Sequence, residues 1–265
     1  MIEAVLALLA GLLLGSFLNV CIYRLPRDLS VVRPRSFCPA CEKTIAWYDN
    51  IPVLSFLLLK GRCRHCGERI TLRYPIVELA TAAAFFSVVL TLGPTRAAAK
   101  LCLFAALVIA LIASDLEERI LPDEFTLGGI ALGLIVAAFV PLLVGLAPLI
   151  MPARLPVVAY SIGEAAIGAL FSGGALWLVG EVYRRARDRD GLGLGDVKMV
   201  AMIGAFLGLP GALMTVLAGS LLGSVTGVLY IWLARKDAST YELPLGSFLG
   251  VAGLGLAFYA QLVHL

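Results

Sequence analysis

Charged residues are scarce in this chain of 265 residues, at 15% of all positions, where soluble domains carry about 25%. The net charge is only +3, so the charge balance gives no reason to expect nucleic acid as a partner. Histidine occurs twice, at His65 and His264, which disfavours a Ser-His or Cys-His catalytic pair. The sequence also contains no GxxxxGK[ST] phosphate loop and no HExxH motif. These absences exclude an ordinary soluble enzyme, a P-loop nucleotide hydrolase and an HExxH zinc protease.

Apolar residues, in contrast, fill 60% of the chain. A helix needs roughly 20 apolar residues to cross about 30 Å of hydrocarbon. One apolar segment, 197–209, is only about 20 Å long as a helix, so the sequence leaves open whether it crosses the bilayer completely. The pattern predicts an all-α polytopic membrane protein of about eight transmembrane helices in a lipid bilayer. The long apolar runs lie at 4–23, 75–92, 97–114, 125–147, 157–181, 211–234 and 244–264.

The basic residues are distributed unevenly between the predicted loops. With eight crossings, the loops 24–74, 115–124, 182–198 and 235–243 share one side and hold 10, 1, 5 and 2 basic residues, which is 18 of 21. Because cytoplasmic loops carry an excess of Lys and Arg, this side is predicted to be cytoplasmic. The longest of these loops, 24–74, is predicted to form a small domain between the first two helices.

That loop contains four of the six cysteines, in two CxxC pairs. Cys38 and Cys41 form the first pair, and Cys63 and Cys66 form the second. Two such turns can hold one tetrahedral zinc ion, and four thiolates leave no open position, so the sequence predicts a structural metal. A loop of this size buries little core by itself, and a metal can supply the missing folding free energy. The alternative is a pair of redox-active or incidental dithiols.

Two aspartates stand at the predicted cytoplasmic edge of the bilayer. Asp115 follows an apolar span, and Asp196 precedes another in the sequence Gly193-Leu194-Gly195-Asp196. Asp196 can be explained as a helix N-cap, and Asp115 as the end of a span. As a pair, however, two carboxylates can act as acid and base to activate water for amide hydrolysis. Helix dipoles favour Asp196 as the ionised base and Asp115 as the protonated acid.

The ordered motifs of this chain resemble those of the type IV prepilin peptidase family, the GxGD-type membrane aspartic proteases of bacteria. The resemblance covers most of the chain, and the order and spacing of the motifs are more specific than any one of them. Beside the two CxxC pairs and the glycine-rich segment before Asp196, the motifs are GSFLNVCIYRLP at 15–26, WYDNIP at 47–52, RYPIVE at 73–78 and SDLEERILPD at 114–123.

The resemblance implies that Asp115 and Asp196 are the catalytic aspartates of a multi-pass enzyme in the bacterial inner membrane. Family substrates are prepilins or the pseudopilins of type II secretion, whose basic leader is cut after a glycine at the cytoplasmic membrane face. Many members also methylate the new N-terminal amine with S-adenosylmethionine, an activity associated with the cysteine-bearing loop. Since that loop is present here, the bifunctional form is expected.

The implied domain division is a first helix at 1–23, a zinc-binding, methyltransferase-associated domain at 24–74 and a peptidase domain at 75–265. The sequence shows no glycine-rich nucleotide fingerprint in the loop, so it does not locate the S-adenosylmethionine site. Asn19 and Glu78 are candidates for facing it, and a buried helix contact is the alternative for each.

Three other functions fit parts of the pattern. The first is a membrane transporter that uses the inner-face carboxylates and a metal-sensing loop, although transporter sites usually lie near the bilayer midplane. The second is a GxGD protease that cuts deeper in the bilayer. The third is an assembly factor without enzymatic activity, which would tolerate loss of both aspartates.

Overall fold

The computed structural model describes residues 1–142, 145–189, 191–234 and 244–263. Within these ranges the chain is helical, with no strand and two isolated bridge pairs. The predicted basic loop 235–243 and His264 lie outside the described residues. The α-helices are α1 Ile2–Arg24, α2 Leu54–Leu58, α3 Arg73–Leu92, α4 Arg96–Glu118, α5 Asp123–Ala137, α6 Ala147–Ile150, α7 Val157–Arg187, α8 Leu194–Ala234 and α9 Leu245–Val263.

Five of the described helices, α1, α3, α4, α7 and α8, are long and apolar enough to cross a membrane, and α9 is a shorter apolar helix. This confirms the predicted all-α membrane fold. The predicted span 125–147 is only partly helical, because α5 ends at Ala137. Pro141 follows four residues later, and a proline disfavours helical conformation in the residue before it. The apolar run therefore extends beyond the helix that it contains.

Helix α8 unites the two predicted segments 197–209 and 211–234, with a break between them. Gly208 has φ 72° and ψ 177°, a conformation outside the helical region, and Pro210 follows. The first part, residues 194–207, is about 21 Å long at 1.5 Å per residue. The break frees the backbone N–H of Leu209, which donates to Glu164 Oε1 at 3.2 Å. Glu164 Oε2 accepts from the N–H of Ala147 at 2.9 Å.

The chain forms two compact units, Met1–Ser114 and Asp115–Leu265. In the first unit, α1 and α3 pack as an antiparallel pair at glycine positions. A Cβ atom on Gly11 would lie 2.7 Å from the Cα atom of Ala82, and one on Gly15 would lie 2.7 Å from the Cα atom of Glu78. Real Cβ atoms do not approach this closely, so both positions require glycine. Small residues therefore allow close helix packing here.

In the second unit, α7 and α8 make a similar close approach. A Cβ atom on Gly168 of α7 would overlap the carbonyl oxygen of Gly204 in α8. The side chains of Met199, Met202 and Phe206 along the first part of α8 are fully buried. Packing therefore holds the first part of α8 in place, and Asp196 lies in the first turn of this part. The functional domains expected from the sequence have their boundaries after residues 23 and 74. The two compact units do not test these boundaries, which stay a prediction.

Candidate functional site

The two CxxC pairs form two matching turns. In the first, the N–H of Cys38 donates to the carbonyl of Lys43 at 3.0 Å, and in the second the N–H of Cys63 donates to the carbonyl of Glu68 at 2.8 Å. Each turn is closed by an antiparallel bridge, Phe37 with Thr44 and Arg62 with Arg69. Each residue of the second turn follows its counterpart in the first turn by 25 positions, both in the bridge and in the hydrogen bond. The loop therefore presents both cysteine pairs in one local geometry.

The sulfur atoms of the four cysteines lie within 4.8 Å of one another. Cys38 Sγ and Cys66 Sγ are 3.8 Å apart. Four sulfurs at about 2.3 Å from a tetrahedral zinc ion stand about 3.8 Å from each other, so the residues fit this metal. Backbone N–H groups of Cys66 and His65 stabilise the thiolate of Cys63 and lower its pKa to about 7. A thiolate is the form that binds metal.

Asp115 lies in the last turn of α4 and is buried, with 6% of its surface exposed. Its Oδ2 atom accepts hydrogen bonds from both the N–H and the Oγ–H of Ser247, each at 2.7 Å. Ser247 lies in the first turn of α9, 132 residues further along the chain. The start of α9 therefore holds the Asp115 carboxyl group in place.

Asp196 lies in the first turn of α8, which begins at Leu194. The helix is therefore capped at Gly193, and the alternative of Asp196 as the N-cap is wrong. Instead, the N–H of Gly193 donates back to the Asp196 carboxylate, as the third helical residue of a capping box does. Asp196 is half-buried. The positive end of the helix dipole favours a carboxylate at this position.

The two aspartates lie near each other around Leu121. A Cβ atom on Gly246 would lie 3.2 Å from Asp115 Cγ and 3.1 Å from Leu121 Cδ1. A Cβ atom on Gly195, next to Asp196, would lie 3.1 Å from Leu121 Cβ. The two carboxyl groups also lie within electrostatic reach of each other. The second unit thus brings together the two aspartates that the sequence predicts.

Ser247 is a residue of this site that the sequence does not predict. Its only signal is a hydroxyl side chain three residues after Pro244, at the start of the last apolar span. Near this site, the Nζ atom of Lys198 contacts Asp123 Oδ1 at 2.7 Å. This ion pair joins the start of α5 to the start of α8. Both contacts connect distant parts of the chain.

Comparison with known proteins matches two family models to this chain. Residues 9–92 match the bacterial peptidase A24 N-terminal domain, and residues 102–228 match the type IV leader peptidase family. A prepilin leader peptidase/N-methyltransferase of Aeromonas salmonicida is 34% identical over 94% of this chain and 88% of its own length. The chain belongs to the type IV leader peptidase family.

Other members of the type IV leader peptidase family are similarly related. A prepilin leader peptidase/N-methyltransferase of Myxococcus xanthus is 39% identical over 86% of this chain, which spans 63% of that protein. The protein of the same name from Pseudomonas aeruginosa is 33% identical over 93% of this chain and 87% of its own length. No solved structure matches the chain significantly.

The part of the chain that matches the family's N-terminal domain contains a second cluster of polar residues, in a cavity of about 80 Å³. Asn19 and Glu78, the two candidates from the sequence, both line it. Asn19 Nδ2 donates to the carbonyl of Tyr74 at 3.0 Å. Glu78 Oε2 accepts from the N–H of Val53 at 2.7 Å. The cavity lies entirely within the first unit.

Proposed function

We propose that this chain is a prepilin leader peptidase in which Asp115 and Asp196 form the catalytic pair. The observation that carries the proposal is the proximity of the two carboxyl groups at the ends of two helices. Membership in the type IV leader peptidase family supports the substrate class. Prepilins or type II secretion pseudopilins are the proposed substrates.

The proposed reaction is hydrolysis of a peptide bond by water. Asp196 takes a proton from the water as its oxygen attacks the carbonyl carbon, while Asp115 donates a proton to the carbonyl oxygen. The carbon–nitrogen bond then breaks, the departing amine takes the proton held by Asp196, and one hydroxyl of the tetrahedral intermediate returns its proton to Asp115 as the new carboxyl group forms. Because the N–H and the Oγ–H of Ser247 both donate to Oδ2 of Asp115, Oδ1 is the oxygen that carries the donated proton.

The proposed orientation places the catalytic pair and the cysteine-bearing loop at the cytoplasmic face of the bacterial inner membrane. The bias of basic residues toward the loops on that side supports it. A prepilin then inserts its apolar helix beside the enzyme while its basic leader stays in the cytoplasm. This arrangement brings the bond after the leader to the membrane edge, where both aspartates lie.

We further propose that Cys38, Cys41, Cys63 and Cys66 bind a structural zinc ion. The spacing of their sulfur atoms supports this. The bound ion would tie the two turns together, because the described loop contains only the short helix α2 and two 3-10 turns. With four thiolate ligands the zinc has no open position for a substrate, so no step of hydrolysis is assigned to it.

A second activity, N-methylation of the new N-terminus, is proposed from the names of the relatives. S-adenosylmethionine would be the methyl donor. No residue is assigned to this cofactor, and no step is derived through it. The domain division into 1–23, 24–74 and 75–265 belongs to this proposal.

The test is cleavage of a prepilin by the purified full-length protein, followed by mass spectrometry. Asp115→Asn and Asp196→Asn should each lower the rate at least about a hundredfold, since a general acid or base contributes that much. Asp188→Asn is the matched control, because Asp188 is exposed at the end of α7 with φ 52°, a conformation that asparagine tolerates. Normal processing by either catalytic variant would refute the pair. Ion flux in proteoliposomes without proteolysis would support a transporter instead.

A further inference from the structure

The cysteine-bearing loop exposes a short apolar face on helix α2. Leu57 and Leu58 expose 65% and 71% of their surface, and Leu54 is also exposed. The spacing i, i+3 and i+4 places these three leucines on one side of the helix. Ser55, which lies outside this side, is buried. A helix that turns its leucines outward and its serine inward is suited to an apolar environment, because exposure of apolar surface to water is unfavourable.

Two aromatic residues are held beside α2. Trp47 and Tyr48 are exposed, Trp47 by 72% of its surface, and both belong to the 3-10 turn Trp47–Asn50. Ser55 connects this turn to α2, because its hydroxyl donates to the carbonyl of Tyr48 at 3.0 Å and accepts from the N–H of Ile51 at 2.9 Å. Tryptophan and tyrosine are enriched where a membrane meets water. The apolar patch of the loop is defined as Trp47, Leu54, Leu57 and Leu58.

The length of α3 sets the level of α2 relative to the bilayer. Helix α3 has 20 residues and measures about 30 Å at 1.5 Å per residue, which equals the thickness of the hydrocarbon layer. It can span this layer only when Arg73, its first residue, lies at one boundary. The N–H of Val53, the residue before α2, donates to Glu78 Oε2 at 2.7 Å. Because Glu78 is five residues into α3 and helical side chains lean toward the N-terminal end, this contact holds the start of α2 near that boundary.

The outer surface of α3 shows what surrounds the chain at this level. Ile76 and Leu79, on either side of Glu78 in the sequence, are exposed on a helix that is long and apolar enough to cross a membrane. Exposed apolar side chains on such a helix face lipid. Since α2 starts at the level of Glu78, lipid is also within reach of its exposed leucines.

The charges beside α2 complement an anionic membrane surface. Asp49 is the only acidic residue between Trp47 and Arg64, and its carboxylate is paired with Arg64 at 2.6 Å. Lys60 and Arg62 follow α2 and are exposed, and neither belongs to an ion pair among the described residues. Basic residues near a membrane surface are attracted by anionic lipid headgroups. The loop thus combines an apolar patch with adjacent positive charge.

We propose that α2 and Trp47 insert into the bilayer interface at the face where the loop lies, with Lys60 and Arg62 on the phosphates of anionic lipids. The apolar side of a helix at a membrane interface is buried about 5–10 Å into the boundary between headgroups and acyl chains. The contact between Val53 and Glu78 brings α2 to this boundary. The cysteine turns thereby gain an attachment to the membrane besides the two helices that flank the loop. This attachment is independent of the catalytic pair.

The test measures the environment of Trp47 in the full-length protein. Trp177→Phe with Trp232→Phe leaves Trp47 as the only tryptophan, since the chain contains three. The protein is placed in nanodiscs of phosphatidylcholine and phosphatidylglycerol, in which both membrane faces are accessible. We expect lipids brominated near the headgroup to quench more than half of the fluorescence, and aqueous iodide to quench little of it. Strong quenching by iodide alone would overturn the proposal, and so would protection from both quenchers, which would indicate cover by protein.

Variants connect the insertion to α2. Leu57→Ser with Leu58→Ser should lower the equilibrium constant for insertion at least about tenfold, because the apolar side chains that favour it are lost. Quenching by lipid should fall and quenching by iodide should rise. Val32→Ser is the matched control, since Val32 is an exposed apolar residue of the same loop outside the apolar patch. Unchanged quenching in the leucine variant would refute α2 as the inserted element. Leader cleavage is not measured, so failure here leaves the leader peptidase proposal intact.

Discussion

The hydroxyl of Ser247 provides one of the two hydrogen bonds that hold the Asp115 carboxyl group, at 2.7 Å. Ser247→Ala removes this bond and keeps the backbone N–H bond of the same residue, also at 2.7 Å. As Asp115 gives up its proton in the proposed reaction, its carboxyl group becomes negatively charged, and a hydrogen bond to a charged group contributes about 1.5–3 kcal/mol. If that contribution is realised in the transition state, cleavage slows by about 10-fold to about 150-fold.

The measurement is steady-state cleavage of a prepilin, with kcat and KM determined separately. A positioning role predicts a lower kcat at nearly constant KM, and Ser247→Thr should restore much of the rate because it keeps the hydroxyl. Ser224→Ala is the control, since Ser224 is exposed on α8. A full rate in Ser247→Ala, or a loss confined to KM, would show that the hydroxyl does not hold the catalytic carboxyl group.

Two further predictions concern the parts that support the site. Cys66→Ser should abolish the binding of stoichiometric zinc, measured by plasma emission. Cys102→Ser, in a buried helical position, should leave the zinc content unchanged. Equal zinc content in the two variants would contradict the four-cysteine site. Glu164→Ala should lower the free energy of unfolding by about 1–4 kcal/mol, because the buried N–H of Ala147 and the part-buried N–H of Leu209 lose their acceptor. Glu181→Ala, which removes a carboxylate paired with exposed arginines, should change the free energy of unfolding far less, because solvent screens exposed ion pairs. A similar thermal shift for both glutamates would argue against the capping role.

The cysteine site could be predicted because its information is local. Each CxxC pair forms its own turn, and the spacing of residues within a turn is visible in the sequence. Only the approach of the two turns then joins distant parts of the loop, and the proposed metal ion would provide the reason for it.

The aspartate site could be predicted in part. Asp115 and Asp196 stand out because each is a charge beside an apolar run. Ser247 does not stand out, because its contact with Asp115 joins residues 132 positions apart, and a serine near a helix start has an ordinary local explanation. Likewise, the end of α5 could not be predicted, because the apolar run in the sequence continues past the last residue of the helix.

The buried carboxyl group of Glu164 also bears on how the chain enters the bilayer during synthesis. A charged residue in a membrane helix is expensive to insert alone, by up to about 2.5–3.5 kcal/mol at the helix centre on insertion scales, and Glu164 is the eighth residue of α7. One of its two partners, the N–H of Ala147, is already synthesised when α7 emerges, but the other belongs to Leu209 in the later helix α8. Complete compensation therefore requires both helices, which favours their release into the lipid as a pair. A truncated chain that stops before residue 209 should consequently insert α7 less efficiently than the full chain.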